Sequence, residues 1–394
     1  MVVSAAFATL VTFPPVPAAG EGAGREHPRG ELLSVVPLGE RDYPRLVKEA
    51  QQAGYPTDTA RYGVAAYRLT YRTVAPDGRP TTASGLLALP RGGGHPLPTV
   101  VHHHGTLAYR GYAASVADGP DRTVSLLYAS AGRAAVSPDY LGLGTGPGTH
   151  PYLDNRSAAA ASLDMLRAAN TAAPRLGRSL DGRVSTTGFS QGGQVAMALG
   201  RTLTSGADPR FHLRSVAAVG GAYDLEGSQL PGIYDGRVGP ESAVFYTAYF
   251  LVAQNRLHHL YSDPREVFRA PYAEHVEELF DGDHPAEQIA GKLPETLPEL
   301  LSDRWYAKLR NPSGRLLAVL RSNDFTCDWR PKAPVTLYSA TGDHDVPMAN
   351  SHHCAQRVAA HGGKARVVDQ GGVSHYAAFQ RSLPEMARSF PVSR

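Results

Sequence analysis

The stretch that decides the fold reads Val184-Ser185-Thr186-Thr187-Gly188-Phe189-Ser190-Gln191-Gly192-Gly193. Residues 184–187 are typical of a buried strand, and the Ala- and Leu-rich residues 193–203 have helical periodicity. A strand that passes directly into a helix needs a very sharp turn, and glycine fits at 188 and 192 because a Cβ there would meet neighbouring backbone. Ser190 is therefore predicted to stand exposed at the carboxyl end of the strand, above the N-terminus of the helix.

Outward from this turn, short apolar runs alternate with helix-like segments. Residues 64–74 and 81–89 flank the turn-like Pro76-Asp77-Gly78-Arg79-Pro80 and indicate a β-hairpin. Further strand-like runs cover residues 98–102, 134–137, 184–187, 215–219, 334–338 and 365–368, and helix-like segments cover residues 157–170, 193–203, 350–360 and 376–383. Strand, helix and strand in series predict an α/β fold, in which a mostly parallel central sheet carries helices on both faces.

The alternation stops between residues 225 and 329. Residues 241–255, 265–280 and 298–309 favour helix there, and no buried-strand run stands out. We interpret this region as a helical cap inserted into the sheet domain. The predicted organisation is a signal-like and linker segment at 1–30, a core in two parts at 31–225 and 330–394, and a cap insertion at 226–329, with no internal repeat.

Composition limits the partners that are expected. The 394 residues are 42 % hydrophobic and 19 % charged, which is enough apolar material for a large folded core. The formal net charge is only +3, and no Lys/Arg run stands out. Nothing in the composition therefore indicates nucleic acid or an anionic membrane as a partner, and the oligomeric state stays open.

The first residues resemble a secretory signal. Residues 2–11 are apolar and residues 14–19 are rich in proline and alanine, although the basic start of a signal is missing. We expect a secreted or periplasmic protein, with a disordered extension of a cytoplasmic protein as the alternative. The stretch is too short and too broken by proline to cross a bilayer, and no later segment does better, so no membrane span is expected.

A serine hydroxyl at such a turn becomes a nucleophile only beside a base that a third group holds in one tautomer. His375 follows the last strand-like run and precedes the last helix, which favours it as the base over His344, His352 and His353.

The orienting acid has three candidates. The loop after the run at 334–338 carries Asp343 and Asp345, and Asp224 follows an earlier run. A carboxylate in such a loop can simply form a turn. We favour Asp345 as the acid that orients His375.

Acyl transfer also needs two backbone N–H groups that face the developing oxyanion. Gln191, directly after the serine, is predicted to give one, and Thr106, or its neighbour Leu107, the other. The preceding His102-His103-His104 could suggest a metal, but no Cys or carboxylate adjoins it and consecutive strand residues point to opposite faces. We expect neither a metal nor a cofactor.

Together these motifs resemble the α/β-hydrolase superfamily and, within it, the secreted bacterial esterases and lipases related to fungal secretory lipases. The resemblance rests on His103-His104-Gly105-Thr106, Pro138-Asp139-Tyr140-Leu141-Gly142-Leu143-Gly144, Gly188-Phe189-Ser190-Gln191-Gly192-Gly193, Gly342-Asp343-His344-Asp345-Val346-Pro347 and Ser374-His375.

The resemblance implies an α/β-hydrolase fold with a helical cap between the nucleophile half and the acid half. It also implies hydrolysis of small-molecule or lipid esters through an acyl-enzyme, without a cofactor. Its acid usually stands three residues after the glycine of the acid loop, which is Asp345. Here Val346-Pro347 follows at once, earlier than is usual, and this departure keeps Asp343 open.

Two rival functions remain open from sequence: a peptidase or amidase with the same triad, and a ligand-binding protein without catalysis.

The sequence contains two cysteines, Cys327 and Cys354. Cys327 lies shortly before the strand-like run at 334–338, and Cys354 lies in the helix that follows this run. Because a strand and its next helix pack together, the two thiols are predicted to form a disulfide. The alternative is two buried free thiols.

Overall fold

A sheet of nine strands forms the centre of the protein in the computed structural model, which describes residues 28–392. Its spatial order is β1-β2-β3-β5-β4-β6-β7-β8-β9. The first three strands and β5 pair antiparallel, and the strands from β5 through β4 to β9 pair parallel. The strands are β1 (Leu32–Arg41), β2 (Val64–Val74), β3 (Pro80–Pro90), β4 (Leu97–His103), β5 (Ala134–Pro138), β6 (Leu180–Phe189), β7 (His212–Val219), β8 (Val335–Ser339) and β9 (Arg366–Asp369).

Helices cover both faces of this sheet, as the sequence predicts. They are α1 (Tyr43–Gln52), α2 (Pro120–Ser130), α3 (Asn155–Arg175), α4 (Gln191–Thr204), α5 (Leu230–Tyr234), α6 (Pro240–His258), α7 (Pro264–Val267), α8 (Val276–Leu279), α9 (Ala286–Ala290), α10 (Leu297–Leu300), α11 (Asp303–Arg310), α12 (Gly314–Asn323), α13 (Ala349–Ala360) and α14 (His375–Ser389).

Neighbouring strand residues pack into different cores because side chains alternate across a sheet. Val100 packs in the core that includes α1, α2 and α14, whereas Val101 packs in the core that includes α3 and α4. The sheet is thereby buried on both faces, which is the environment of parallel strands in α/β proteins.

Residues 28–41, which precede the hairpin, make more contacts than the sequence suggests. Strand β1 is an edge strand that carries Pro37, and much of it is exposed, so it lacks the apolar alternation that marks a half-buried strand. Arg29, within the predicted linker, donates two hydrogen bonds at 3.0 and 3.1 Å to Oδ2 of the fully buried Asp164. Thr73 donates to the same oxygen at 2.8 Å, and Arg167 donates to Oδ1 at 2.8 Å.

The region between β7 and β8 consists of helices α5 to α12 and the turns between them, and one isolated bridge joins Phe268 to Leu301. It has an apolar core of its own around α6. The long helices predicted at 265–280 and 298–309 are each broken into shorter pieces. Helix α7 ends directly before Phe268, and α10 ends directly before Leu301, because the backbone is extended at both residues of the bridge.

A disulfide joins Cys327 to Cys354, with 5.2 Å between their Cα atoms. It connects the turn before β8 to α13, so the predicted pairing is present. The signal-like stretch lies outside the described residues. Within residues 28–392, no helix combines the length and apolarity that a membrane span requires.

Candidate active site

The turn between β6 and α4 is as sharp as the sequence predicts. Ser190 has φ 56°, a left-handed conformation that a non-glycine residue rarely adopts. A Cβ on Gly188 would lie 2.1 Å from the carbonyl oxygen of Gly192, and a Cβ on Gly192 would lie 2.1 Å from that of His103. Both glycines are therefore required by direct contact between backbone segments.

Ser190 is only 8 % exposed, so the prediction of an exposed serine is wrong. Its N–H donates to the carbonyl of Val219 at 2.8 Å, which places it beside the end of β7. Helix α6 closes over these strand ends, because Tyr249 on that helix binds Leu107 and Ser242 binds Asp345.

His375 is the first residue of α14, and its Nδ1–H donates to Oδ2 of Asp343 at 2.6 Å. The carboxylate is fully buried and the imidazole is 7 % exposed. Within the described residues, Nε2 of His375 is buried without a hydrogen-bond partner. The ring packs against that of Phe189, next to Ser190, with 4.5 Å between centroids.

Asp343, and not Asp345, is the partner of His375, which corrects the sequence preference. A Cβ on Gly342 would lie 2.6 Å from the backbone carbonyl carbon of Gly372, so the acid loop packs tightly on the base loop at this point. The residue directly after the glycine consequently faces His375. The carboxylate of Asp345 lies within 4.8 Å of this pair but accepts a hydrogen bond from Ser242.

The Asp343 carboxylate is fixed on its other side as well. Its Oδ1 accepts the N–H groups of Asp345 and Val346, both at 2.9 Å. Three hydrogen bonds to one carboxylate fix its orientation. The side chain can therefore hold the imidazole with its proton on Nδ1 and Nε2 free to accept.

The other candidates from the sequence lie in other contacts. His353 on α13 forms an ion-pair contact with Asp224 at 3.2 Å, and His344 faces the carbonyl of Arg237 at 3.4 Å. Asp224 also accepts the N–H of Gly227 at 2.9 Å and thereby starts the turn after β7. His352 is exposed on α13.

Gln191 is the first residue of α4, where backbone N–H groups have no acceptor within the helix. Its side-chain amide donates to Nε2 of His150 at 3.0 Å, and Nδ1–H of His150 donates to the carbonyl of Leu141 at 2.9 Å. Burial lowers the pKa of His150 to about 3, which keeps the ring neutral. This chain of contacts fixes Gln191 at the start of the helix.

The loop after β4 passes beside the serine. A Cβ on Gly105 would lie 3.2 Å from the ring of Phe189 and 3.6 Å from Cβ of Ser190, so the backbone approaches closely. Thr106 follows directly, with its hydroxyl 3.1 Å from that of Tyr152. Gln191 and Thr106, the two predicted oxyanion donors, are thus both on segments that adjoin Ser190.

The three adjacent histidines do not converge on one point. His102 contacts Asp121 at 3.2 Å, and His103 donates from Nδ1 to the carbonyl of Thr187 at 2.9 Å. Burial lowers the pKa of His103 to about 3. Among the described residues, the cluster that could hold a metal ion is Asp343, Asp345 and His375. A metal there would replace the direct bond between His375 and Asp343.

The sequence matches no protein-family model and no curated protein. Solved structures do match. The rice cell wall degrading esterase LipA from Xanthomonas oryzae superimposes with a TM-score of 0.82 at 28 % identity, over 92 % of this chain and 97 % of LipA. The chain has the α/β-hydrolase fold. A Legionella pneumophila protein provisionally described as a hydrolase also gives 0.82, at 27 % identity over 91 % of this chain and 96 % of the other.

Candida antarctica lipase A superimposes on this α/β-hydrolase with a TM-score of 0.66, over 93 % of this chain and 86 % of the lipase. At 14 % identity that likeness concerns the fold alone. The LipA match confirms the predicted relationship to esterases.

Two cavities of this α/β-hydrolase meet at α6. An open groove of about 380 Å³ includes Thr106, and a smaller apolar pocket of about 60 Å³ lies behind it. Ser242 and Tyr246 line both cavities and so stand between them. The groove also carries Tyr112, Glu241, Phe245 and Glu287, and the pocket carries Leu153, Leu225, Ile233, Phe250, Leu309 and Leu320.

The stretch of α6 from Phe245 to Leu251 contributes both to the apolar core of the helical region and to the lining of the small pocket. Ala248 and Leu251 are fully buried core residues, whereas Phe250 lines the apolar pocket. The position of an aromatic residue around the helix could have separated these uses only if the direction of the sheet were already known.

Proposed function

We propose that this α/β-hydrolase is a serine esterase in which Ser190 is the nucleophile, His375 the general base and Asp343 the acid that orients the base. One observation carries the proposal. His375 has one ring nitrogen bound to a buried carboxylate and the other buried without a partner. An unsatisfied buried nitrogen costs free energy, and the ring that carries it packs against Phe189, the residue directly before Ser190.

The reaction that this arrangement supports is acyl transfer in two halves. Nε2 of His375 takes the hydroxyl proton of Ser190 as its oxygen attacks the ester carbonyl carbon, and the imidazolium then gives that proton to the leaving alcohol. Water attacks the acyl-enzyme with the same base, which frees the carboxylic acid and returns the proton to Ser190. Asp343 stabilises the imidazolium in both halves.

The oxyanion of each tetrahedral intermediate is assigned to the backbone N–H groups of Gln191 and Thr106. Helix α4 begins at Gln191, so its positive end also faces the developing charge. Thr106 lines the open groove, and it directly follows Gly105, whose backbone approaches Ser190. No step of this scheme requires a cofactor or a metal ion.

The choice of an ester bond is supported by LipA, a solved relative that is described as an esterase. We also propose that residues 226–329 act as a cap over the site, because α6 contributes to both cavities. Export is supported by the signal-like residues 2–11 and by the disulfide, which persists mainly in oxidising compartments.

The test combines labelling with a substrate panel. A fluorophosphonate should label the wild type at Ser190, as located by mass spectrometry, and should not label Ser190→Ala. Against p-nitrophenyl esters, Ser190→Ala and His375→Ala should each lower kcat by about three orders of magnitude or more while both variants stay folded. His352→Ala, an exposed histidine on α13, is the matched control and should retain wild-type turnover.

Three results would contradict the proposal. Label at another serine would move the nucleophile, and near-native turnover of His375→Ala would remove the base. Turnover of aminoacyl anilides that exceeds turnover of esters would favour a peptidase or amidase.

A further inference from the structure

Two tyrosines stack between the helical region and the loop that carries Thr106. The rings of Tyr152 and Tyr249 lie 4.1 Å apart at their centroids, with 3° between their planes. Tyr249 also stacks on Phe280 at 4.7 Å. Both tyrosines are at most 4 % exposed, so the pair is a rigid apolar block with only its hydroxyl groups available for polar contacts.

Each hydroxyl reaches the loop after β4. Tyr249 donates to the carbonyl oxygen of Leu107 at 3.0 Å, and the hydroxyl of Tyr152 lies 3.1 Å from that of Thr106. Burial raises the pKa of both phenols well above the ordinary value, so both hydroxyl groups remain protonated. Tyr152 is fixed in turn by Gln254 of α6, which donates to its carbonyl oxygen at 2.7 Å.

These contacts act on the residues that supply the second oxyanion donor. The loop enters through Gly105, which has no side chain to fix it, and a Cβ there would lie only 3.2 Å from the ring of Phe189. The side chain of Thr106 and the carbonyl of Leu107 are anchored by the two tyrosines. The N–H groups of both residues therefore lie between two fixed points.

We propose that Tyr152 and Tyr249 are positioning residues that hold the oxyanion-binding N–H of the Thr106 loop in its catalytic orientation, an inference that rests on the proposed esterase function. The tyrosines do not touch the reacting atoms. They act through the loop, so their loss weakens binding of the oxyanion in the transition state more than binding of the neutral ester.

The helix that carries Tyr249 also reaches the opposite side of the site. Ser242 on α6 donates to the carboxylate of Asp345, whose own backbone N–H donates to Asp343. A single helix thus contacts both the oxyanion loop and the acid loop. A shift of α6 would disturb the oxyanion donor and the acid together.

The experiment removes one hydroxyl at a time. Tyr249→Phe and Tyr152→Phe keep the stacked rings and delete the contacts to the loop. Tyr261→Phe is the matched control, because that hydroxyl is in the same helical region but donates to Glu277 at 2.9 Å, away from the loop. Each variant is measured for kcat and KM on p-nitrophenyl butyrate and for inhibition by a butyl trifluoromethyl ketone, which forms a tetrahedral oxyanion on the serine.

Removal of a whole oxyanion donor lowers kcat by about 100- to 1000-fold, and a donor that is misplaced loses part of this. We expect kcat to fall roughly 5- to 50-fold in each loop-contact variant, with KM within about twofold of wild type and the inhibition constant of the ketone raised in proportion to the loss of kcat. Tyr261→Phe should match the wild type in all three quantities.

Wild-type kcat in both Phe variants, or a change confined to KM, would overturn the inference while leaving the esterase assignment intact. If one variant does not fold, as judged by circular dichroism, the other decides the result. A wild type that neither turns over esters nor reacts with fluorophosphonate would instead refute the proposed function, and this inference with it.

Discussion

Replacement of Asp343 by asparagine should nearly abolish turnover, whereas the same change at Asp345 should be mild. An asparagine at 343 can still accept the N–H groups of Asp345 and Val346 through Oδ1, so the acid loop keeps its shape. Its NH₂ group would then face Nδ1 of His375, where a carboxylate oxygen lies at 2.6 Å. Two donors cannot share that contact, so the imidazole adopts the tautomer with its proton on Nε2, which cannot accept the serine proton.

The magnitude follows from what is lost. The correct tautomer becomes a minor form, and the imidazolium of the transition state loses a buried charge-assisted hydrogen bond and its counter-charge. Comparable substitutions in Ser-His-Asp enzymes lower kcat by about 10⁴-fold, and we expect roughly 10³- to 10⁴-fold here, or about 4–5.5 kcal/mol of transition-state stabilisation. Asparagine at 345 can still accept the Ser242 hydroxyl, so its effect should stay below about tenfold.

The assay is steady-state hydrolysis of p-nitrophenyl butyrate, with the concentration of folded enzyme set by circular dichroism and thermal unfolding. Both asparagine variants should unfold near the wild-type temperature. The reasoning would be refuted if Asp345→Asn lost more turnover than Asp343→Asn. It would also be refuted if Asp343→Asn kept more than about a tenth of wild-type kcat.

Three further predictions concern specificity, pH and the disulfide. The apolar pocket next to the groove is small, so short acyl esters should be preferred over palmitate. Phe250→Ala should raise the rate on octanoyl esters relative to acetyl esters by roughly tenfold. An unchanged chain-length profile in the folded variant would exclude this pocket as the acyl site. Burial raises the pKa of Asp324 to about 7, so the folded protein holds the carboxyl proton more tightly than the unfolded chain does. The contribution of this proton to the free energy of unfolding is complete below about pH 4 and is lost as the pH rises toward 7. The melting temperature of Asp324→Asn should exceed that of the wild type at pH 8 by roughly 2–4 °C and show no such excess at pH 4, and an equal difference at both values would contradict the assignment. Because Cys327 and Cys354 are 27 residues apart, loss of the bridge in the double serine variant should lower the free energy of unfolding by about 3–4 kcal/mol in denaturant titrations, whereas alkylation of both thiols in unreduced wild type would show that no bridge had formed.

The sequence predicted best those features that depend on contacts between near neighbours. Gly188 and Gly192 mark the turn because a Cβ at either position would clash with backbone, either a few residues away along the chain or on the neighbouring strand. The position of His375 followed from chain order alone. The alternation of strands and helices also follows from local periodicity, which is why the mostly parallel sheet was predicted.

The errors arose where distant segments decide the outcome. The choice between Asp343 and Asp345 depends on the packing of Gly342 against Gly372, a contact that the acid loop itself does not encode. Ser190 is buried beside the loop at Gly105 and the end of β7, two segments that are distant from it in the chain. Edge strand β1 was missed because it is largely exposed and lacks the apolar pattern of a half-buried strand.

The ion pair between Arg29 and Asp164 limits where a leader could be removed. Asp164 is fully buried, and one of the positive charges that its carboxylate contacts belongs to Arg29, 135 positions earlier in the chain. A peptidase that cut beyond Arg29 would leave that carboxylate with one cation, Arg167, and would expose the start of β1. If the protein is exported as proposed, a scissile bond upstream of residue 29 would keep this ion pair and the start of β1 intact. A folded, purified protein whose N terminus lies beyond residue 29 would show that the fold does not need the ion pair.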